Sequence, residues 1–319
     1  LALLRAAHTN VSPLWLIYED PEREVAGLLA SFWSAVPLIE ATVEGEQHIL
    51  RVIRDPATLR AVTRAFASRR LYVADGHHRY HTAQLYRDER RRHEVEAGRA
   101  PDPDAGYEFA LMLLVALDDP GMLLRPTHRL VRGLAQPLPE VRAQLGRWFD
   151  LTPLAIPASD AAAGASIEGT LAEAGRAGHA FMLLEADGAW LLRPRADVDW
   201  SARLPADHTA MWRALDVVVL DTLAIRDVCG IRAEAEAAQA DATGHGAADR
   251  LTYTSDFAEA VHAVRSGETQ QAYLLNPTSI EQVCAVAAAG DEMPPKSTFF
   301  VPKPLTGVTM HSLEGRRSS

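Results

Sequence analysis

Short apolar runs broken by Gly, Pro and Asp alternate along this chain with segments whose apolar residues recur at helical spacing. WLIYED from Trp15 and HILRVI from His48 read as strands, and REVAGLLASFWSAV between them reads as a helix. Asp55-Pro56 opens a helix through Ala67, since Pro has no N–H to lose in a first turn. LYVA from Leu71 is a short buried strand. DGHHR then turns the chain into a charged helix reaching about Ala97, supported by the i,i+4 pairs Asp88/Arg92 and Arg90/Glu94. After the loop GRAPDPDAG, the run FALMLLVAL has the composition of a central strand, which DDPGM ends.

Pro137 to Phe149 and Ala161 to Gly178 predict helices, and FMLLEADGAWLLRP predicts a hairpin around Asp187-Gly188. Asp216 to Val228 is an apolar helix closed by Gly230, followed by a small polar connector from Ala233 to Arg250. Asp256 to Ser266 and Ile280 to Ala289 read as helices, with AYLLN as a strand between them. The tail KSTFFVPKPLTGVTMHSL alternates like a closing hairpin around Pro304 to Gly307. Strands and helices alternate throughout, so the expected fold class is mixed α/β.

With 319 residues the chain exceeds one ordinary core and is expected to form two lobes, 1–150 and 151–319. No apolar run approaches the roughly 20 residues of a membrane-spanning helix, so a soluble protein with no membrane partner is expected. A net charge of −10 speaks against nucleic acid as a partner, because phosphate neutralisation needs a dominant basic face. Cys229 and Cys284 lie far apart with no CxxC spacing, which fits a reducing, cytoplasmic compartment. The opening LALLRAAHTNVSPLW lacks an initiator Met and is too interrupted for a signal peptide, so a fragment lacking its natural N-terminus is expected.

Chemistry concentrates at Asp75-Gly76-His77-His78-Arg79. Gly76 permits a tight turn, and the first N–H groups of the following helix point outwards along a positive dipole, a ready anion site. Arg79 can add a bidentate contact to phosphate, and His77 or His78 a donor or a general acid–base near neutral pH. The plainer alternative is an Asp75 N-cap with solvated histidines. In a rival reading, His77 and His81, four apart on one helical face, hold zinc or another divalent metal. HHRYH lacks the glutamate of HExxH, however, and further ligands would have to come from His128, Asp118 or Asp119.

RPTHRLV repeats the His-Arg pair, making His128 and Arg129 either further anion contacts or the protective charges of an edge strand. In MPPKSTFFVPKPLTG, Lys296 beside Ser297 and Thr298 suits an anion, although the Gly-rich cradle of a P-loop is missing and a strand follows. Asn276-Pro277-Thr278 reads as a helix start with Thr278 as N-cap. Trp15, Trp33, Trp148 and Trp190 are expected to fill gaps in the core, and Cys284 to be a buried structural thiol.

Together VADGHHRYHTA, PTHRLV, LLNPTSIEQV and MPPKSTFFVPKPLTG resemble the domain-of-unknown-function 1015 family of bacteria and archaea along nearly the whole chain. Members usually carry a further segment ahead of the position of Leu1, and commonly have Glu at the position of His81. The DGHHR turn is also similar to the signature loop of the ParB/sulfiredoxin superfamily, in which a Gly-His-Arg loop at a helix start binds nucleotide phosphates. That resemblance implies a ParB/sulfiredoxin-like lobe over 1–150 and a second, smaller α/β lobe over 151–319. Sulfiredoxins rely on a loop cysteine that this chain does not have there, and ParB proteins are nucleotide-gated DNA clamps, which the acidic charge disfavours. Free-serine kinases carry a comparable loop and transfer phosphate from a nucleotide to a small hydroxylated substrate.

The resemblance therefore implies a nucleotide-binding small-molecule phosphotransferase using ATP or ADP with Mg²⁺. In it Gly76, His77, His78, Arg79, His128, Arg129, Lys296, Ser297 and Thr298 hold phosphate, while His77, His78 and Asp75 carry the chemistry. Two alternatives are a nucleotide-sensing module without turnover and a metal-dependent hydrolase built on His77 and His81.

Overall fold

In the computed structural model, which describes residues 1–43, 45–232 and 250–316, the chain divides into one unit of 1–122 with 302–319 and another of 123–301. The boundary expected at 150 thus falls at 122, and the second unit, expected to be the smaller, is the longer. Strand pairing explains the shift: residues 128–131 bond to strands at 251–254 and 271–275, so they must fold with the later sequence. The connector expected between Ala233 and Arg250 lies, Arg250 apart, outside the described residues.

The first unit runs α1 (Ala2–Ala7), β1 (Thr9–Asn10), β2 (Leu14–Tyr18), α2 (Glu24–Leu29), β3 (Ile39–Val43), β4 (Glu46–Leu50), α3 (Pro56–Phe66), β5 (Leu71–Asp75), α4 (His77–Glu96) and β6 (Met112–Ala116). Its main sheet has the order β5-β2-β6, with β2 antiparallel to β5 and parallel to β6. All five residues of β2 are buried. That is why its sequence is an unbroken apolar run without alternation. The FALMLLVAL run takes an edge position, since β2 holds the centre.

The helix expected through Val36 stops at Leu29, continues as a 3₁₀ turn to Phe32, and cannot pass Pro37. Trp33 is consequently 70% exposed, not a core residue. β3, which the sequence reading missed, pairs with β4 in a hairpin. α3 starts as expected, its cap fixed by the Asp55 carboxylate accepting the Thr58 N–H at 2.7 Å.

The second unit comprises β7 (Leu123–Arg125), β8 (His128–Val131), α5 (Leu138–Leu145), β9 (Phe149–Leu154), α6 (Asp160–Gly175), β10 (Phe181–Glu185), β11 (Gly188–Pro194), α7 (Ala210–Arg213), α8 (Asp216–Leu220), a π-helical turn Asp221–Arg226, β12 (Leu251–Thr254), the helix Phe257–Arg265, β13 (Gln271–Leu275), the helix Ile280–Ala288 and β14 (Phe299–Val301). Six strands form an antiparallel sheet in the order β12-β8-β13-β10-β11-β9. α6 and Phe257–Arg265 cover one face through Ile167, Leu171, Val261 and Val264. α5, α8 and the π-helical turn cover the other through Val141, Leu145, Val217 and Leu223.

A Cβ at Gly164 would lie 2.8 Å from the Ala258 nitrogen, so glycine is what lets α6 approach its neighbour. The expected hairpin forms from β10 and β11. The tail does not close on itself: Phe299–Val301 pairs with β7, whereas His311–Ser312 pairs with β1. Pro302 and Pro304, which lack N–H donors, separate the two pairings. Thr278 is not the N-cap of the last helix either, because Ser279 caps it in a capping box with Gln282. Among the described residues no helix is long and apolar enough to cross a membrane.

Candidate functional site

β5 ends at Asp75, Gly76 takes a left-handed conformation at φ 99°, and α4 begins at His77. The N-cap is therefore Gly76 and not Asp75, and no side chain caps the helix. Its first N–H groups keep their anion-binding potential. Asp75 instead gathers cations. Its Oδ2 accepts from Arg79 Nη2 at 3.1 Å and lies 3.2 Å from Lys303 Nζ, while Arg79 Nη1 donates to Ser12 Oγ at 2.5 Å. Two cations and a helix dipole around one carboxylate leave a net positive pocket edge. His77 is half-buried there, whereas His78 and His81 are exposed.

Lys303 adds what the sequence reading left out of the site. Its ammonium stands 5.9 Å from the Trp15 ring centroid, within cation–π range. Trp15 and Lys303 both line a cavity of about 680 Å³ whose other walls include Ile39, Leu50, Leu113 and Met122. A mainly apolar cavity thus borders the cationic turn. Lys303 was visible in VPKPLTG, but no local signal ties it to Asp75.

The remaining expected residues belong to the second unit. His128 and Arg129, neighbours on β8, point to opposite faces of the sheet, as strand geometry requires. Neither is an edge charge: β8 lies between β12 and β13, and both residues are fully buried. Arg129 grips Asp221 through Nε and Nη2 at 2.7 and 2.8 Å, donates to the Thr127 carbonyl, and reaches the Lys296 carbonyl at 3.2 Å. Its donors are committed to protein, so it positions Lys296 and has no free fork for phosphate. Lys296 itself, at φ 57°, lies 5.3 Å from the Tyr253 ring centroid. Ser297 accepts from Thr278 Oγ1 at 2.8 Å through its carbonyl, and Thr298 leads into β14. Thr127 Oγ1, His128 Nε2 and Ser297 Oγ are buried without a hydrogen-bond partner among the described residues. No group of three or more His, Cys, Asp or Glu that could hold a metal occurs there either.

On its own face His128 packs on Phe257 at 4.2 Å and accepts the Leu275 N–H through Nδ1 at 3.4 Å. Burial, helped by the neighbouring Arg129 charge, pushes its pKa down to about 3. The folded chain consequently refuses a proton that the unfolded chain takes up below about pH 6.5. Stability should fall with decreasing pH by about 1.4 kcal/mol per unit within that window. Urea unfolding at pH 6.5 and 4.5 checks this: about 2–3 kcal/mol of the drop should vanish in His128→Gln. An equal drop in both proteins would clear His128 as its cause.

The family model described as "Protein of unknown function (DUF1015)" matches residues 1–218. The chain belongs to the DUF1015 family. The DUF1015 match includes the Asp75–Arg79 turn and β8, and ends before Lys296 and Lys303. Solved structures that match the DUF1015 chain include a free serine kinase in complex with AMP, 14% identical at a TM-score of 0.38, over 94% of this chain and 88% of that one. A variant of that kinase in complex with ADP matches at 13% identity and a TM-score of 0.40, over 94% and 88%. A conserved hypothetical protein from Pyrococcus furiosus matches at 14% and 0.39, over 95% and 91%. No curated protein matches the chain.

Proposed function

We propose that this DUF1015 protein is a nucleotide-dependent phosphotransferase acting on a small hydroxylated metabolite, with ATP or ADP held at the Gly76–Arg79 turn. One observation carries the proposal: Lys303 joins the cationic turn, through Asp75, to the cavity it lines with Trp15. Phosphate oxygens meet the helix N–H groups, Arg79 and Lys303, while the base occupies the apolar cavity.

Phosphoryl transfer needs positioning and charge neutralisation more than covalent help. Arg79 and Lys303 neutralise the transferring group, and His77 or His78 takes the proton of the acceptor hydroxyl. Asp75 is the carboxylate at the turn, Glu46 and Asp119 line the adjoining cavity, and Mg²⁺ bound with the nucleotide would offset phosphate charge there. In the second unit, Lys296, Ser297 and Thr298 are proposed as an anion-binding group of their own.

Isothermal titration with ATP, ADP and CTP plus Mg²⁺ tests the proposal. Arg79→Ala and Lys303→Ala should each weaken binding about tenfold or more, the usual worth of a charge-assisted contact. Affinity unchanged in both variants would remove the turn from nucleotide binding. Binding without phosphorylation of serine or other small alcohols would leave a sensor in place of an enzyme.

A further inference from the structure

A second cavity, of about 420 Å³, opens in the 123–301 unit and takes no part in the nucleotide proposal. One wall is the π-helical turn, which supplies Asp221, Ile225 and Arg226 to the lining. Single π turns interrupt regular helical bonding and are frequent at functional sites.

Another wall is a prearranged aromatic pair. The rings of His208 and Trp212 stack at 3.8 Å and 9°. His208 Nδ1 bonds to Asp291 Oδ1 at 2.8 Å, and the Thr209 N–H donates to the other oxygen at 2.8 Å. Those bonds, the Thr209 N–H foremost, hold the Asp291 carboxyl down to about 2. It is therefore ionised and an acceptor, and Nδ1 is the donor. The stack is fixed before any ligand arrives.

Charge around the cavity is one-sided. Asp207 and Glu292 line it as exposed carboxylates with no ion pair among the described residues. Asp221 is offset by Arg129, and Arg226 is turned to Asp227 and the Arg203 carbonyl at 3.1 and 3.2 Å. Met293 and Ile225 complete an apolar lining. Flat apolar walls beneath a negative mouth select a cation carried on an apolar body.

We propose that this cavity binds an organic cation of the arylalkylamine class, its ring against the His208–Trp212 stack and Met293, its ammonium at Asp207 and Glu292. Titration of the full chain with tryptamine, and with indole-3-propionate as the same ring bearing the opposite charge, tests this. One tryptamine should bind per chain, with the anion about tenfold or more weaker. The double variant Asp207→Asn, Glu292→Gln should lose about tenfold in tryptamine affinity with unchanged thermal unfolding, both side chains being exposed. Trp212→Leu should weaken both ligands. Absence of saturable binding, equal affinity for the two probes, or full affinity in the double variant would overturn the assignment. None of these variants touches Arg79 or Lys303, so the outcome is independent of the nucleotide proposal.

Discussion

Replacing Arg129 by alanine should lower the unfolding free energy by about 3–5 kcal/mol, the range for breaking a buried ion pair from one side. The guanidinium is 1% exposed and serves Asp221 and two backbone carbonyls at once. Asp221 keeps 30% exposure, so water partly replaces its lost partner and the lower end of that range is expected. Scanning calorimetry should show the melting temperature falling by roughly 10 °C for a unit of this size. Arg129→Lys should recover little, because an ammonium cannot reproduce the two-pronged grip. A melting temperature within about 2 °C of the parent would mean that the pair does not hold the second unit together.

At Gly76 a side chain should damage both stability and binding. Its φ of 99° costs any other residue about 1–3 kcal/mol. A Cβ there would also lie 2.8 Å from Arg79 Nε and Nη2. The guanidinium would have to shift, disturbing its contacts with Asp75 and Ser12 at the cationic edge. Gly76→Ala should therefore lose about 2 kcal/mol of stability and weaken ATP or ADP at least as much as Arg79→Ala does. Destabilisation with full nucleotide affinity would separate the turn's fold from the proposed phosphate contact.

What the sequence made legible was local. The apolar run at Leu14–Tyr18, the Asp55-Pro56 helix start, the Gly76 turn and the β10–β11 hairpin each carry their signal within a few residues. Partnerships across the chain were not legible. Nothing near Arg129 names Asp221, nothing near Asp75 names Lys303, and the tail's two pairings look from inside like one hairpin. One error was avoidable, since adjacent residues on a strand cannot both face one ligand, and His128 with Arg129 obeys that rule. The expected site residues accordingly fall into groups in separate units, with Lys303 joining the first group.

The register of β7 against β14 places Leu123 opposite Val301, so the second unit begins and ends at one strand pair. In sequence terms it is an insertion within the first unit. The ribosome must deliver all of it before Lys303 emerges to meet Asp75, before Gly307 donates to the Val11 carbonyl, and before His311–Ser312 pairs with β1. An unfinished chain therefore carries the DGHHR turn with Arg79 as the counter-ion of Asp75 and without the Lys303 ammonium. The charge of the turn is set only after the whole inserted unit has been made.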